Sequence, residues 1–540
     1  MMKKRIFICA AAVLLLVTVS SFKTDFFEIA KQIEIFTTLF KELNMNYVDE
    51  TNPAELMDTA IKNMLEELDP YTVYMNEQDV EGYKIKNVGE HSGIGALVKS
   101  DGDRLLIVEP YRGYPADKAG LKAGDAIIRI GDVEVADVKE DAEELLKGTV
   151  NTQIPVTFLR EGAPKTTTIV LEEIDMDAVP YYGVTGGKTG YIVLSRFNEK
   201  ATEQTRNALE ALKGQGVENL ILDLRGNPGG LLSEAIDVTN LFVPQGELVV
   251  TTRSKVKKFN STYVTRNAPV DTEIPLVVLV NERSASASEI VSGALQDLDR
   301  AVIVGTQSYG KGLVQRPMKL SYGTHLKVTI SRYYTPSGRC IQAIDYQKRD
   351  REGKAMKNAI YNEFKTRNGR KVYDGGGIMP DVQIASLRHS DLTRTLAEND
   401  LIFDYATHYY YKNKVDALSD FSFNGKDYED FKRFVAKNSK EYTTSIETEL
   451  QAVAKNAAFS DLSNTVKREY ETLLRSVQQE KVNALDSYRE KIEKDLKDEI
   501  IKRYFYRKGL YDYYLSNDEA ILTASRLLGD RVKYKGILKL

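Results

Sequence analysis

The sequence is poor in the residues that most metal sites and disulfide frameworks use. Its 540 residues include two cysteines, four histidines and no tryptophan. Cys9 lies in an N-terminal apolar run, so a chain cleaved after that run keeps only Cys340 and forms no internal disulfide. The histidines are too scattered for a zinc signature; they are His91, His325, His389 and His408. We therefore expect no metal and no other cofactor.

An excess of positive charge is also missing. The formal net charge is −4, the isoelectric point is near 5.9, and no dense run of lysine and arginine occurs. This balance excludes nucleic acid as the main partner. The hydrophobic content of 42% and the charged content of 28% are typical of a globular protein. A chain of this length is expected to fold as several domains.

The one long apolar run stands at the N-terminus. Three basic residues at positions 3–5 precede an apolar stretch over residues 6–19, and two serines follow. This pattern is typical of a secretory signal peptide over residues 1–21. Because an Ala-x-Ala cleavage motif is missing, an uncleaved N-terminal anchor stays open as the alternative. We expect the chain to be exported, either as a periplasmic protein or attached to the membrane and facing the periplasm.

Changes of pattern divide the rest of the chain into four parts. Residues 25–87 carry apolar side chains at helical spacing, which predicts an N-terminal helical segment. Residues 88–172 change to short strands and turns, with a predicted helix over 139–146. Residues 173–389 alternate apolar strands with helices, which is typical of an α/β domain with a largely parallel sheet. Residues 390–540 return to charged, tyrosine-rich helices. The fold class is therefore multidomain α/β.

Two strand-to-helix turns stand out in the α/β part, because such sheets bind ligands at the carboxyl ends of their strands. Arg-Gly-Asn-Pro-Gly-Gly follows the strand that ends at Leu224, and a turn with three serines follows the strand that ends at Val280. Ser286 and Glu289 have the spacing of a helix capping box. The Ser286 hydroxyl is therefore either a helix cap or a nucleophile beside free N–H groups of the helix.

A serine nucleophile needs a base, and no histidine stands at a strand end beside a carboxylate. A buried neutral lysine is the leading alternative. Lys311 lies between two glycines just past the strand over residues 301–304, where a side chain can reach into a cleft. Composition alone favours an ordinary surface lysine at this position.

These segments resemble the carboxyl-terminal processing (tail-specific) peptidase family. The resemblance rests on residues 281–297, on Tyr-Gly-Lys-Gly-Leu-Val-Gln at 309–315 and on several further blocks, and it covers about residues 35–385. It implies a crotonase-like α/β catalytic core. It also implies the following roles: Ser286 as nucleophile, Lys311 as general base, Gln315 as the residue that orients the lysine, and backbone N–H groups of Ala287 and of Gly229 or Gly230 as the oxyanion hole. Nothing carries over to residues beyond about 390.

Residues 88–172 resemble a PDZ domain inserted before the catalytic core. Gly93, Ile94, Gly95 and Ala96 match the loop by which such domains hold a free C-terminal carboxylate in backbone N–H groups, while the peptide adds as a strand. Ala-Gly-Leu-Lys-Ala-Gly-Asp, followed by an isoleucine-rich strand, is the more specific half of the match. The resemblance implies that the partners are proteins or peptides recognised through their C-termini.

The leading hypothesis is an exported serine endopeptidase that hydrolyses proteins near their C-termini with a Ser/Lys dyad. One alternative is a catalytically inactive PDZ peptide-binding protein, and the joint presence of Ser286, Lys311 and Gln315 argues against it. Another is a crotonase-type acyl-CoA enzyme, which export and the PDZ-like segment disfavour. The sequence leaves open whether the protein forms an oligomer.

Overall fold

The computed structural model describes residues 26–77, 79–80, 82–83, 90–138, 141–358, 361–385, 390–438 and 443–540. The signal peptide or anchor predicted for residues 1–21 lies outside these residues. Within the described ranges, no helix is both long and apolar enough to cross a membrane. The chain divides into two compact units, Met1–Asn76 with Pro317–Thr329 and Glu77–Arg316 with Ile330–Leu540.

The first unit contains two helices and a short strand pair. Helix α1 covers residues 26–46, α2 is Pro53–Glu66 and β1 is Val73–Met75. Helix α2 begins with proline because its missing N–H needs no partner there, and the Asn52 side chain accepts the N–H of Ala54 at 3.1 Å. β1 pairs antiparallel with residues 325–327. The predicted helical character of this segment is confirmed.

The PDZ-like part is a small antiparallel β-sheet domain within the second unit. Its elements are β2 Glu90–Gly93, β3 Ala96–Asp101, β4 Arg104–Pro110, α3 Pro115–Lys118, β5 Ala126–Ile130, β6 Val133–Glu134, β7 Gln153–Arg160, β8 Ala163–Val170 and β9 Glu172–Asp175. The main sheet has the order β3-β4-β5-β7-β8, so β3 is an edge strand. The helix predicted over 139–146 is a 3₁₀ turn at Ala142–Leu146, and residues 139–140 lie outside the described residues.

The α/β part is built on a six-stranded sheet of order β10-β11-β12-β15-β16-β23. β10 runs antiparallel to β11 and the other neighbours are parallel, as the pattern predicts. Along the chain from β10 to β16, the elements are β10 Tyr181–Thr185, β11 Thr189–Val193, α4 Ala201–Gly214, β12 Asn219–Asp223, α5 Leu232–Asn240, β13 Leu248–Arg253, β14 Ser261–Val264, β15 Leu276–Val280, α6 Ala287–Asp297 and β16 Ala301–Gly305.

A second group of strands follows β16. Its members are β17 Leu313–Lys319, β18 His325–Tyr334, β19 Ile344–Arg349, β20 Ala355–Lys357, β21 Glu363–Lys365, β22 Lys371–Tyr373 and β23 Val382–Gln383. β13 pairs antiparallel with β14 and with the last residues of β18, Arg332–Tyr334. β19 with β20, and β21 with β22, form hairpins.

The C-terminal part consists of helices joined by short loops, and its described residues form no strand. Its α-helices are α7 Asp391–Glu398, α8 Leu401–Lys412, α9 Gly425–Lys437, α10 Ser445–Lys455, α11 Asn464–Ser487, α12 Arg489–Asn517, α13 Glu519–Gly529 and α14 Arg531–Leu538. Alternate residues of the central strands point to opposite faces of the sheet. Helices α4–α6 cover one face; on the other face α13 packs through Ile521 and Leu528, and α14 packs through Leu538. Both faces are therefore buried, which explains the continuous apolar runs.

Candidate active site

Ser286 lies at the start of α6 in a strained backbone conformation. Its φ is 55° and its ψ is −112°, values that a residue with a side chain rarely adopts. Half of the capping box predicted from the sequence is present: the Glu289 carboxylate accepts the Ser286 N–H at 2.8 Å. The Ser286 side chain makes no cap hydrogen bond, and the Glu289 N–H donates to the Ser286 carbonyl oxygen instead. Strain of this kind collects at functional sites, where the surrounding structure holds it in place.

The two neighbouring serines have structural roles that Ser286 does not share. The Ser284 hydroxyl donates to the carbonyl oxygen of Leu224 at 2.7 Å, and the Ser288 hydroxyl donates to that of Asn227 at 2.9 Å. Both serines are fully buried, whereas Ser286 is partly exposed. Ser284 and Ser288 thus bind the turn after β15 to the turn after β12, and Ser286 is the serine that a substrate can reach.

Glu289 joins the serine turn to the lysine segment. Its Oε2 accepts the N–H groups of Ser286 at 2.8 Å and of Lys311 at 2.9 Å, and its Oε1 accepts the Gly310 N–H at 2.7 Å and the Ser308 hydroxyl at 2.6 Å. Burial raises the pKa of Glu289, and these four hydrogen bonds oppose the rise. The sequence pattern assigned only a capping role to this residue.

Tyr333 makes a second connection between the same two segments. Its hydroxyl lies 2.7 Å from the carbonyl oxygen of Lys311 and 3.2 Å from that of Ser286. Its side chain is buried. Glu289 therefore holds the two main-chain N–H groups and Tyr333 the two carbonyl oxygens. No sequence signal indicated Tyr333, which directly precedes a Tyr-Thr-Pro-Ser-Gly-Arg block at residues 334–339 that also resembles the family.

Lys311 stands two residues before β17, and Gln315 lies within that strand. Both residues are partly buried. The glycines beside Lys311 allow close packing: a Cβ on Gly310, whose φ is 87°, would lie 2.4 Å from the Ala343 Cβ. This packing fixes the main chain on the N-terminal side of the lysine.

The candidate oxyanion donors come from both turns. Ala287 is the first residue of α6, where helix N–H groups lack partners within the helix. A Cβ on Gly229, whose φ is 97°, would lie 2.8 Å from the Ala287 nitrogen, so the two turns touch here. The Gly229 N–H donates to Asn227 Oδ1 at 2.8 Å. The Gly229 N–H therefore already has an acceptor within its own turn.

The PDZ-like loop is tied to the segment that follows β4. The carbonyl oxygen of Ile94 accepts the Ala116 N–H at 2.7 Å, and that of Gly95 accepts the Tyr111 N–H at 2.8 Å. Gly95 has a φ of 65°. Ile94 packs in the domain core, and Gly93 and Ala96 flank the loop as the ends of β2 and β3. Among the described residues, the loop thus leads into β3, the edge strand of the sheet.

Among the residues that the structure describes, no group of three or more histidine, cysteine, aspartate or glutamate side chains could hold a metal ion. The expectation that the protein needs no cofactor stays a prediction.

Four family models match the chain. They are "Peptidase family S41" at residues 188–348, "PDZ domain" at 92–171, "Probable PDZ-protease, C-terminal helical domain" at 392–528 and "Activating protease CtpB N-terminal domain" at 18–79.

Similar proteins include two bacterial processing proteases. A carboxy-terminal-processing protease of Bartonella bacilliformis is 36% identical over 321 residues, which are 58% of this chain and 73% of the relative. A carboxyl-terminal-processing protease of Synechocystis is 37% identical over 287 residues, 52% of this chain and 66% of the relative. Among solved structures, a photosystem II D1 C-terminal processing protease has 27% identity and a TM-score of 0.37, and the match covers 64% of this chain and 86% of that one.

Proposed function

The chain belongs to peptidase family S41 and is a serine-type peptidase of the carboxyl-terminal processing group, and from this premise we propose that Ser286 is its nucleophile and Lys311 its general base. One observation carries the assignment. Glu289 and Tyr333 each bind the main chain of both residues, with all four distances between 2.7 and 3.2 Å. Two residues that must exchange a proton need their backbones held together in this way.

The proposed reaction has two steps, on a core that we propose to be of the crotonase type. Neutral Lys311 takes the proton of the Ser286 hydroxyl while Oγ attacks the peptide carbonyl carbon. The N–H groups of Ala287 and of Gly230 or Gly229 stabilise the oxyanion. The C–N bond then breaks, the leaving amine takes the proton from Lys311, and water later hydrolyses the acyl-enzyme. Gln315 is proposed to orient the lysine amine.

We propose that the substrates are proteins captured by their C-termini. The free edge of β3 and the backbone of Gly93–Ala96 suit an added peptide strand that ends in a carboxylate. Leu97 on β3 is 45% exposed and offers an apolar contact to the last residues of such a peptide. The partner is therefore an extended protein tail.

The assignment of the nucleophile is tested with a serine-reactive fluorophosphonate probe. Ser286→Ala should lose labelling and peptide cleavage while its far-ultraviolet circular dichroism stays that of the wild type. Ser284→Ala and Ser288→Ala serve as matched controls. They should keep labelling, with unfolding free energies lower by about 0.5–1.5 kcal/mol because each loses one buried hydrogen bond. Labelling of Ser286→Ala would overturn the assignment, and absence of labelling in the wild type would favour an inactive peptide-binding protein.

We also propose that the protein acts outside the cytoplasm, because residues 1–21 have the pattern of a signal peptide or anchor. Cell fractionation followed by N-terminal sequencing tests this. A cytoplasmic product that keeps its first residues would contradict it.

A further inference from the structure

Helix α12 is interrupted in its middle. Tyr506 has a φ of 58° and a ψ of −171°, a conformation outside the helical region that residues with a side chain rarely adopt. Gly509 permits the kink, because a Cβ there would lie 2.1 Å from the Cβ of Phe505. A kink with this geometry in a 29-residue helix needs contacts that hold it.

The contacts at the kink come from the PDZ domain. The Tyr506 hydroxyl donates to Asp117 Oδ1 at 2.6 Å. Arg507 donates two hydrogen bonds to the Glu109 carboxylate, from Nε at 2.5 Å and from a terminal nitrogen at 2.8 Å. The Arg507 side chain is 54% exposed and the Glu109 side chain 11% exposed. The kink is therefore held at two adjacent residues by one segment of the PDZ domain.

That PDZ segment is the one bound to the peptide-binding loop. Residues 109–117 contain both partners of the kink, and they also contain Tyr111 and Ala116, whose N–H groups donate to the carbonyl oxygens of Gly95 and Ile94. Residues 109–117 therefore join the loop to the kink of α12.

The C-terminus of α12 lies against the turn that is assigned to the oxyanion hole. Asp518 directly follows α12, and its carboxylate accepts two hydrogen bonds from one nitrogen of Arg225, at 2.9 and 3.0 Å. Arg225 also binds Asp223 and begins the turn that leads to Gly229 and Gly230. Asp518 is 8% exposed, so this pair is shielded from water. Burial acts to raise the pKa of Asp518, but the Arg225 guanidinium outweighs it and the net direction is downward.

We propose that the part of α12 from its kink to its C-terminus couples the PDZ domain to the oxyanion turn, with Arg507 at the kink and Asp518 just past the C-terminus as positioning residues. The proposal rests on the proposed function, because it uses the assigned oxyanion turn and peptide-binding loop. Its new element is that the C-terminal helical domain carries the connection. Two contacts in series give a clear expectation: breaking either one should disconnect the turn, and breaking both should do no more.

The test is a double-mutant cycle on the full-length enzyme with Arg507→Met and Asp518→Asn. Asparagine keeps the capping of α13 that Asp518 supplies through the N–H groups of Ala520 and Ile521. Each single variant should lower kcat for a fluorogenic peptide about fivefold and leave KM within about twofold. The double variant should also lose about fivefold. A loss near the product of the two, or an unchanged kcat in Arg507→Met, would overturn the coupling.

A second readout does not depend on activity. In a Ser286→Ala background, Arg507→Met should speed hydrogen exchange of the backbone amides of residues 225–227, 229 and 230. Unchanged exchange of these amides would mean that Arg507 has only a local role and would overturn the proposal.

Asp400→Asn is the matched control, because Asp400 forms another ion pair between the same two domains, with Lys99 at 2.7 Å, but lies at the start of α8. It should leave both readouts at wild-type values, and an effect equal to that of Arg507→Met would overturn the special role of α12. Fluorophosphonate labelling of the wild type distinguishes failure of the coupling from failure of the proposed function. If the wild type is labelled but the two kcat losses multiply in the double variant, only the coupling is refuted. If the wild type is not labelled, the proposed function is refuted.

Discussion

At the scale of single residues, a role of Lys311 as general base can be distinguished from a role as a positive charge only. Lys311→Arg keeps the charge but does not give up its proton at a workable pH, so it should be nearly as inactive as Lys311→Ala, with kcat/KM lower by at least about 100-fold. In the wild type, kcat/KM should rise with pH as Lys311 loses its proton. A pH profile of peptide cleavage by the three proteins measures this. An arginine variant with wild-type kcat would show that Lys311 supplies charge only.

Glu289 gives a second prediction at this scale. Glu289→Gln places an amide NH₂ against N–H and O–H donors, so at least one pair of hydrogen bonds is lost. The free energy of unfolding should fall by about 1–3 kcal/mol, and kcat should fall at least about tenfold. Denaturant unfolding and steady-state kinetics measure the two effects.

Glu282→Gln is the matched control for this change, because Glu282 is exposed and lies in the same turn. It should behave as the wild type. Wild-type kcat in Glu289→Gln would exclude Glu289 from positioning Ser286 and Lys311.

At the scale of elements, the contact between the two turns decides whether an oxyanion hole forms. Gly229→Ala would place a Cβ 2.8 Å from both the Ala285 oxygen and the Ala287 nitrogen. We expect kcat to fall by about 100-fold or more, the scale of a lost oxyanion donor. Gly226→Ala is the matched control, since Gly226 has a φ of 72° but open space around a Cβ. Gly226→Ala has the strain of a positive φ but no collision of its Cβ, so its kcat should fall much less. Equal losses of kcat in the two variants would mean that backbone strain alone lowers the activity.

At the scale of the whole molecule, cleavage should depend on the free carboxylate of the substrate. Amidating the C-terminus of a peptide substrate should weaken its binding by about 1–3 kcal/mol, the scale of a lost charged hydrogen-bond partner. Binding is measured on full-length Ser286→Ala protein, so that cleavage does not interfere, and cleavage is measured on the wild type. Equal binding and cleavage of the acid and the amide would refute tail recognition and leave the Ser286 and Lys311 assignments untouched.

The sequence by itself determined the features that depend on local spacing. The continuous apolar runs predicted the buried strands and the ordered motifs predicted the peptidase family, and both are confirmed. The Ser286–Glu289 spacing predicted a capping box, of which the Glu289 half is present. The roles of Ser286, Lys311 and Gln315 stay predictions.

Only the tertiary structure decided what joins distant segments. Tyr333 lies 47 residues from Ser286, and Asp518 lies 293 residues from Arg225, so no local pattern connects them. The same holds for the choice among the three serines, because Ser284 and Ser288 became structural only when their hydroxyls met the carbonyl oxygens of another turn. Periodicity reports how a segment contacts its immediate surroundings, whereas a hydrogen bond between distant segments depends on how the chain folds around its core.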